Sequence, residues 1–295
     1  MSSTVMKGEN LNFSEQEVND IRKKVFGVWW NMLMFYELYC VPTPSLEMPK
    51  LDQSSHVLDR WLLSYVAILQ KDVTSSMDQY DVVRASRLMM DAVQEISTWY
   101  LRLSRTRLRG SDESAKVFGF AMLQLSVLMA SFAPYFTEMV YQRLTNNPDE
   151  SIHHLDWPSE DAYRVIDESL MKDMTKVREI VQLTHASRKT AEIRIRQPLA
   201  KLEYTSHAQL STELHELISQ ETNVENVVRL DSADEKTTIV LDTTLTPELV
   251  EKGEAREIVR QIQDLRKVAG VAFDQTVRVQ LPSWPARYEL EIKEK

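Results

Sequence analysis

Along most of the chain, apolar residues recur every three or four positions, broken by short polar stretches, and each such run predicts a helix. Ser14-Glu15-Gln16-Glu17 reads as a capping box, with Ser14 as N-cap and Glu17 reaching back, and a helix follows to about Tyr39. Its middle crowds together Trp29, Trp30, Met32, Leu33, Met34, Phe35, Tyr36 and Leu38, a density that predicts burial on most sides. Pro42-Thr43-Pro44 ends it and starts a stiff linker to about Ser54. A second helix over 55–78 repeats Val57, Trp61, Tyr65, Leu69, Val73 and Met77 at every fourth position. A third over 81–107 has the stripe Ala85, Leu88, Ala92, Ile96, Trp99 and Leu103, with Arg102, Arg105 and Arg109 on a polar edge. Gly110-Ser111-Asp112 breaks the run, and a Met- and Leu-rich fourth helix over 112–144 follows, kinked or split by Pro134. Four long helices on short connections predict an antiparallel bundle.

The texture changes after residues 145–158, a loop holding Asn147-Pro148 and Trp157-Pro158. It sets a domain boundary, 1–158 against 159–295, with 1–13 a linker entering the bundle. Ser159 is expected to cap a fifth long helix over 160–189. Strands over 200–206, 224–230 and 237–241 and a short helix over 208–220 come next. Thr246-Pro247-Glu248 is a strong helix start, running to Gly270 as C-cap, and further strands are expected at 276–281 and 288–292. The fold class is mainly α: a helix bundle followed by a smaller α+β domain.

Composition narrows the chemistry. Six glycines and ten prolines in 295 residues are far below the usual share, which fits long helices. No two glycines sit close enough to form a phosphate-cradling loop or a dinucleotide fingerprint. Cys40 is alone, so no intramolecular disulfide or cysteine zinc site forms, and a lone thiol suits the reducing cytoplasm. No apolar run is long enough to span a bilayer, so no membrane contact is expected. His153-His154 is an adjacent pair without ligand spacing, no G-x-S-x-G occurs, and no catalytic or metal residue is assigned.

The formal charge of −9 argues against nucleic acid until it is resolved locally. Between Arg84 and Arg109, six arginines (Arg84, Arg87, Arg102, Arg105, Arg107, Arg109) face only Asp91 and Glu95, a local +4. Lys176 to Lys201, with Arg188, Lys189, Arg194 and Arg196, carries +5, whereas Asn147 to Met174 carries −6 and Glu203 to Asp242 carries −7. Two readings stand: solvated basic helix faces, or surfaces that bind a polyanion through counterion release. The run Ser97 to Arg107 places Trp99 and Tyr100 beside arginines that clamp phosphates and stack on bases, with Trp99 expected in the core.

Six collinear motifs resemble the C-terminal, anticodon-binding portion of the isoleucyl-tRNA synthetase family, a class I aminoacyl-tRNA synthetase family. Gly8 to Ser14 resembles the segment leaving the catalytic domain, and Arg22-Lys23-Lys24-Val25 with Trp30-Asn31 resembles the first anticodon-domain helix. Leu58-Asp59-Arg60-Trp61-Leu62-Leu63-Ser64 is similar to LDRWLLSR, with Tyr65 departing at the last position. Ser97 to Arg107 resembles SNWYIRRSRRR, with Leu103 and Thr106 replacing basic residues. Arg194 to Leu199 resembles KVRQPL, which favours the isoleucine family over its valine and leucine relatives, and Gly253 to Gln263 resembles GEAREIVRQIQ.

The resemblance implies a tRNA-binding fragment whose partners are tRNA(Ile) and the catalytic and editing domains of the same polypeptide, with no DNA. The HIGH and KMSKS sequences are absent, so this stretch alone should not activate isoleucine. ATP and Mg²⁺ belong to the full enzyme, with no cofactor expected in this fragment. The expected tRNA-binding residues are Arg102, Arg105, Arg107 and Arg109, then Arg84 and Arg87. Arg188, Lys189, Arg194 and Arg196 either contact RNA or brace the domain junction. The alternatives are a non-catalytic protein-interaction scaffold and the equivalent region of a valyl- or leucyl-tRNA synthetase.

Overall fold

Ser14 caps the first helix, its hydroxyl accepting from the Glu17 amide at 3.3 Å. Glu15–Ile21, a π-helical turn at Arg22–Phe26, and Gly27–Tyr39 then run on as one rod, α1. The computed structural model describes residues 14–40, 43–52, 55–206, 209–231, 236–271 and 275–294. Residues 8–13 of the first motif lie outside them. The chain divides into two units, Met1–Met171 and Lys172–Lys295.

In the first unit α1 is followed by Val57–Asp78 (α2), started by His56, whose Nδ1 accepts from the Leu58 amide at 3.1 Å. The third rod, α3, joins Val82–Glu95, a π-helical turn at Ile96–Leu101, and Arg102–Leu108. A π turn holds one extra residue, so the side chains beyond it rotate relative to an unbroken α-helix. The inward face accordingly passes from the expected Leu103, which is half-buried, to Ser104 and Leu108, which are buried. Ser111 then caps Asp112–Met129 (α4), and Pro134 divides the expected fourth helix by opening Pro134–Thr145 (α5) as its first residue. Every residue of α4 from Val117 to Met129 is buried, as expected of a helix apolar on all sides. Helices α2 and α5 pack on α4, and α3 packs on α2. Gly119 permits one close approach: a Cβ there would meet Pro44 Cβ at 2.5 Å and the Tyr36 hydroxyl at 2.7 Å.

The expected cap at Ser159 does not form. Residues Glu160–Val165 make a 3₁₀ turn without a side-chain cap, and the long helix begins at Glu168, where Asp167 accepts from the Leu170 amide at 2.9 Å. That helix, Glu168–Thr190 (α6), lies mostly in the second unit. There a three-stranded sheet is ordered β2-β1-β3, from Leu199–Thr205 (β1), Val224–Leu230 (β2) and Thr238–Leu241 (β3). β1 and β2 are parallel, with Leu199 opposite Val224, and β3 is antiparallel to β1, with Leu202 opposite Leu241. The parallel pair needs a crossover, supplied by Thr212–Thr222 (α7). Met174, Val177 and Ile180 of α6, Leu202 and Tyr204 of β1, and Leu214 and Ile218 of α7 form the core.

Thr246 and Pro247 start Pro247–Val268 (α8) as their types require, the Thr246 hydroxyl accepting from the Leu249 amide at 3.3 Å. The two strands expected after it are not found. Residues 276–281 pair with none of the three strands, so their alternation has no ladder to join. Residues 288–292 belong to a 3₁₀ turn, Ala286–Tyr288, and the short helix Glu289–Glu294 (α9), where Glu289 and Lys293 pair across one turn.

Candidate nucleic-acid interface

Arg107 points inward. Its guanidinium pairs with the carboxylate of Asp59 on α2, which is 1% exposed, and donates to Ser104 Oγ at 2.8 Å and to Ser114 Oγ. The same carboxylate accepts from the Tyr100 hydroxyl at 2.6 Å and from Ser114 Oγ at 2.8 Å. Burial and the neighbouring carboxylate push the Tyr100 phenol far above its usual range, so it stays a donor. This network ties α2, α3 and the start of α4 together at the end of α3 where the arginines cluster. Arg107 is only 21% exposed on its side chain and serves the network rather than the surface.

Around that anchor the other arginines face out. Arg102, Arg105 and Arg109, at i, i+3 and i+7 beyond the π turn, are all exposed. The Arg102 Nε donates to the Thr98 carbonyl at 2.8 Å, which sets its stem along the helix. The Arg109 guanidinium lies 4.2 Å from the centroid of the Tyr39 ring, a cation–π pair at the end of α1. The side chain of Arg105 has no hydrogen bond or ion pair among the described residues, and neither has that of Arg84 or Arg87. Arg84 and Arg87 line an open hollow with Tyr80 and Asp91 at the opposite end of α3. Between Arg84 and Arg109 the helix rises about 37 Å, so the two groups cannot grip one phosphate cluster. Trp99 is buried, as expected.

In the second unit the structure separates the basic island. Arg188 is 1% exposed, and its guanidinium donates to the carbonyls of Arg194 at 3.2 Å, Gln197 at 2.9 Å and Asn223 at 2.9 Å. Burial brings its pKa down to about 10. Its expected RNA contact is therefore corrected: no face of this side chain meets solvent, and it braces the turn that precedes β1. Lys189, Arg194 and Arg196 are exposed. That turn brings two distant motifs together, for Gln197 Nε2 donates to the Leu249 carbonyl of α8 at 2.7 Å, over the bare Cα of Gly253. Arg256, which the charge count passed over, pairs with the side chain of Asn223. Glu257 takes a bidentate grip from Arg260 and lies 3.8 Å from Arg196. Arg260, Arg196 and Arg194 together hold its carboxyl below the usual range.

The remaining candidates are structural. Cys40 is buried at the end of α1, its Sγ 3.9 Å from the Leu108 carbonyl, and burial raises the thiol to about 11, away from nucleophilic use. His153 and His154 form an exposed 3₁₀ turn. Among the described residues, no helix is long and apolar enough to cross a membrane.

Residues 59–204 match the family described as the anticodon-binding domain of tRNA ligase. The chain is similar to the isoleucine–tRNA ligase of Streptomyces coelicolor, at 32% identity over 284 residues, covering 93% of this chain and 26% of that protein. Against the isoleucine–tRNA ligase of Mycobacterium tuberculosis it is 28% identical over 362 residues, covering 98% of this chain and 34% of that one. It thus spans about a quarter to a third of the length of these relatives. Among solved structures, the LeuRS–tRNA–LeuAMS ternary complex of Agrobacterium radiobacter K84 covers 93% of this chain and 25% of that one, at 11% identity. Its TM-score of 0.39 is too low to carry geometry across.

Proposed function

Because residues 59–204 make this chain a member of the anticodon-binding-domain family of tRNA ligases, we propose that it binds the anticodon arm of a tRNA, in the role that the matching region serves in an isoleucine–tRNA ligase. The observation that carries this reading is the exposed row Arg102, Arg105 and Arg109, anchored from beneath by Arg107 on Asp59. Guanidinium groups on a braced helix end suit phosphate oxygens, which set register without reading sequence. The Tyr39–Arg109 pair adds an aromatic face beside the cations, on which an unstacked base can lie. Arg84 and Arg87, about 22 to 37 Å away along α3, reach a separate stretch of backbone. Lys189, Arg194 and Arg196 supply a further contact from the second unit.

The names of the relatives support tRNA(Ile) as the cognate partner, and the lone thiol of Cys40 suits the reducing cytoplasm as the place of work. ATP, Mg²⁺ and aminoacylation are assigned to the parts of those longer relatives that this chain does not span.

The test is a binding titration with tRNA(Ile), an anticodon-substituted tRNA(Ile) and an unrelated tRNA at several salt concentrations. Tighter binding of the cognate species is expected. Arg102→Ala with Arg105→Ala should weaken all three and flatten the salt dependence by about one unit per lost phosphate contact. An unchanged slope removes those arginines from the interface.

A further inference from the structure

The turn between α2 and α3 carries a side chain for which the fold has no use. α2 ends at Asp78, and Tyr80 follows at φ +58, in the left-handed region that residues with a Cβ enter only at a conformational cost. Its backbone closes the helix: the Tyr80 amide donates to the Met77 carbonyl at 2.9 Å and the Asp81 amide to the Ser76 carbonyl at 2.8 Å. Glycine suits such an end best and asparagine next, and the chain sets Asn146 and Asn223 in this conformation after α5 and α7. Tyrosine returns nothing to the fold for its strain. The residue is 90% exposed, and its side chain makes no hydrogen bond or ring contact among the described residues.

Its neighbours are cations in the same position. Tyr80 shares an open hollow of about 570 Å³ with Arg84 and Arg87, near the start of α3, whose guanidinium groups are also without a partner among the described residues. The acids of the lining are Asp81 and Asp91. Asp81 Oδ1 accepts from the Arg84 amide at 3.0 Å, so this carboxylate is turned to the helix start. Two carboxylates against two guanidinium groups leave the hollow without net formal charge, and a bare phosphate gains little there. A flat π face joined to a phosphate gains from the ring and from the guanidinium groups together.

We propose that Tyr80 is a stacking platform for one unpaired base of the bound tRNA, with Arg84 and Arg87 gripping the phosphates beside it. This rests on the tRNA-binding reading above and adds to it a contact that phosphate binding alone does not supply. Every base has a π face, so the contact positions a nucleotide without reading its identity.

The test is filter binding of a tRNA(Ile) transcript to the full chain and its variants over a range of salt, beside their thermal unfolding. Tyr80→Gly should weaken binding about tenfold, within the range for one lost stacked base, with the salt slope unchanged because no charge is removed. Its Tm should stay the same or rise, since glycine relieves the left-handed backbone. Tyr80→Phe should bind like the parent chain, and Tyr80→Leu, apolar but without a π face, like the glycine variant. Arg84→Gln with Arg87→Gln should weaken binding and flatten the salt slope. A benzophenone amino acid at position 80 should crosslink on irradiation to an unpaired nucleotide, mapped by primer extension. A parent chain that binds no tRNA overturns the tRNA-binding reading and this contact with it. A parent chain that binds while Tyr80→Gly binds equally well, a Tm that falls with glycine, or full affinity in Tyr80→Leu overturns the stacking contact alone.

Discussion

Replacing Asp59 by Asn is the sharpest probe of the anchor beneath the arginine row. The substitution keeps the volume, removes the charge, and offers an amide N–H where the carboxylate accepted from Arg107, Tyr100 and Ser114. Breaking a buried ion pair by removing one partner costs about 3–5 kcal/mol. Arg107 keeps 21% of its side chain in solvent and can recover some hydration, which places the expected loss near the lower end, about 3 kcal/mol. For a unit of this size that corresponds to a fall in Tm of roughly 6–12 °C. Five of the six tryptophans lie in the first unit, at 29, 30, 61, 99 and 157, so fluorescence-detected urea unfolding reports that unit selectively. A double-mutant cycle with Arg107→Met should return a coupling above about 1 kcal/mol. A loss under about 1 kcal/mol with no coupling would show that the pair does not hold the helix end, and the account of the anchored row would fall with it.

Other changes test separate parts of the molecule. Arg188→Leu strands three carbonyls and should destabilise the second unit by about 4 kcal/mol, seen as faster hydrogen exchange in β1; exchange at the wild-type rate would refute the bracing role. His215 sits against the Tyr204 hydroxyl at 2.7 Å, and burial holds its pKa below the ordinary 6.5. Its neutral form is therefore favoured by folding: the stability is fully present above pH of about 6.5 and declines as pH falls, because the unfolded chain takes up a proton that the folded one resists. His215→Gln should flatten that acid limb in a series of unfolding curves. Gly119→Ala should cost about 1–3 kcal/mol by forcing Pro44 and Tyr36 apart, whereas Gly110→Ala, with nothing near its Cα, should be close to neutral.

Local signals were the ones legible in the sequence. Ser14 and Thr246 act as caps, Pro134 divides a helix, and the three strands before residue 242 stand where alternation and turn residues placed them, because each depends on neighbours a few positions away. Ser159 misled because a better cap, Asp167, stands eight residues on. The strand patterns at 276–281 and 288–292 could not reveal that no sheet edge would receive them. The site divides in the same way. Spacing foretold that Arg102, Arg105 and Arg109 share an exposed edge. Arg107 and Arg188 looked like members of the same islands, but their partners, Asp59 and Asn223, lie 48 and 35 residues away. A charge count has no means of seeing such pairings, nor of finding Arg256, which joins the second island through the same Asn223.

The π turn at Ile96–Leu101 makes the aim of the terminal arginines depend on chain length as well as on residue type. Winding those same residues as ordinary α-helix, with none removed, would swing Arg102, Arg105 and Arg109 by about a hundred degrees, while every arginine remained in the sequence. It would also pull Arg107 out of line with Asp59. A single-codon deletion within the turn removes the extra residue together with the bulge, and so leaves the basic row on its heading.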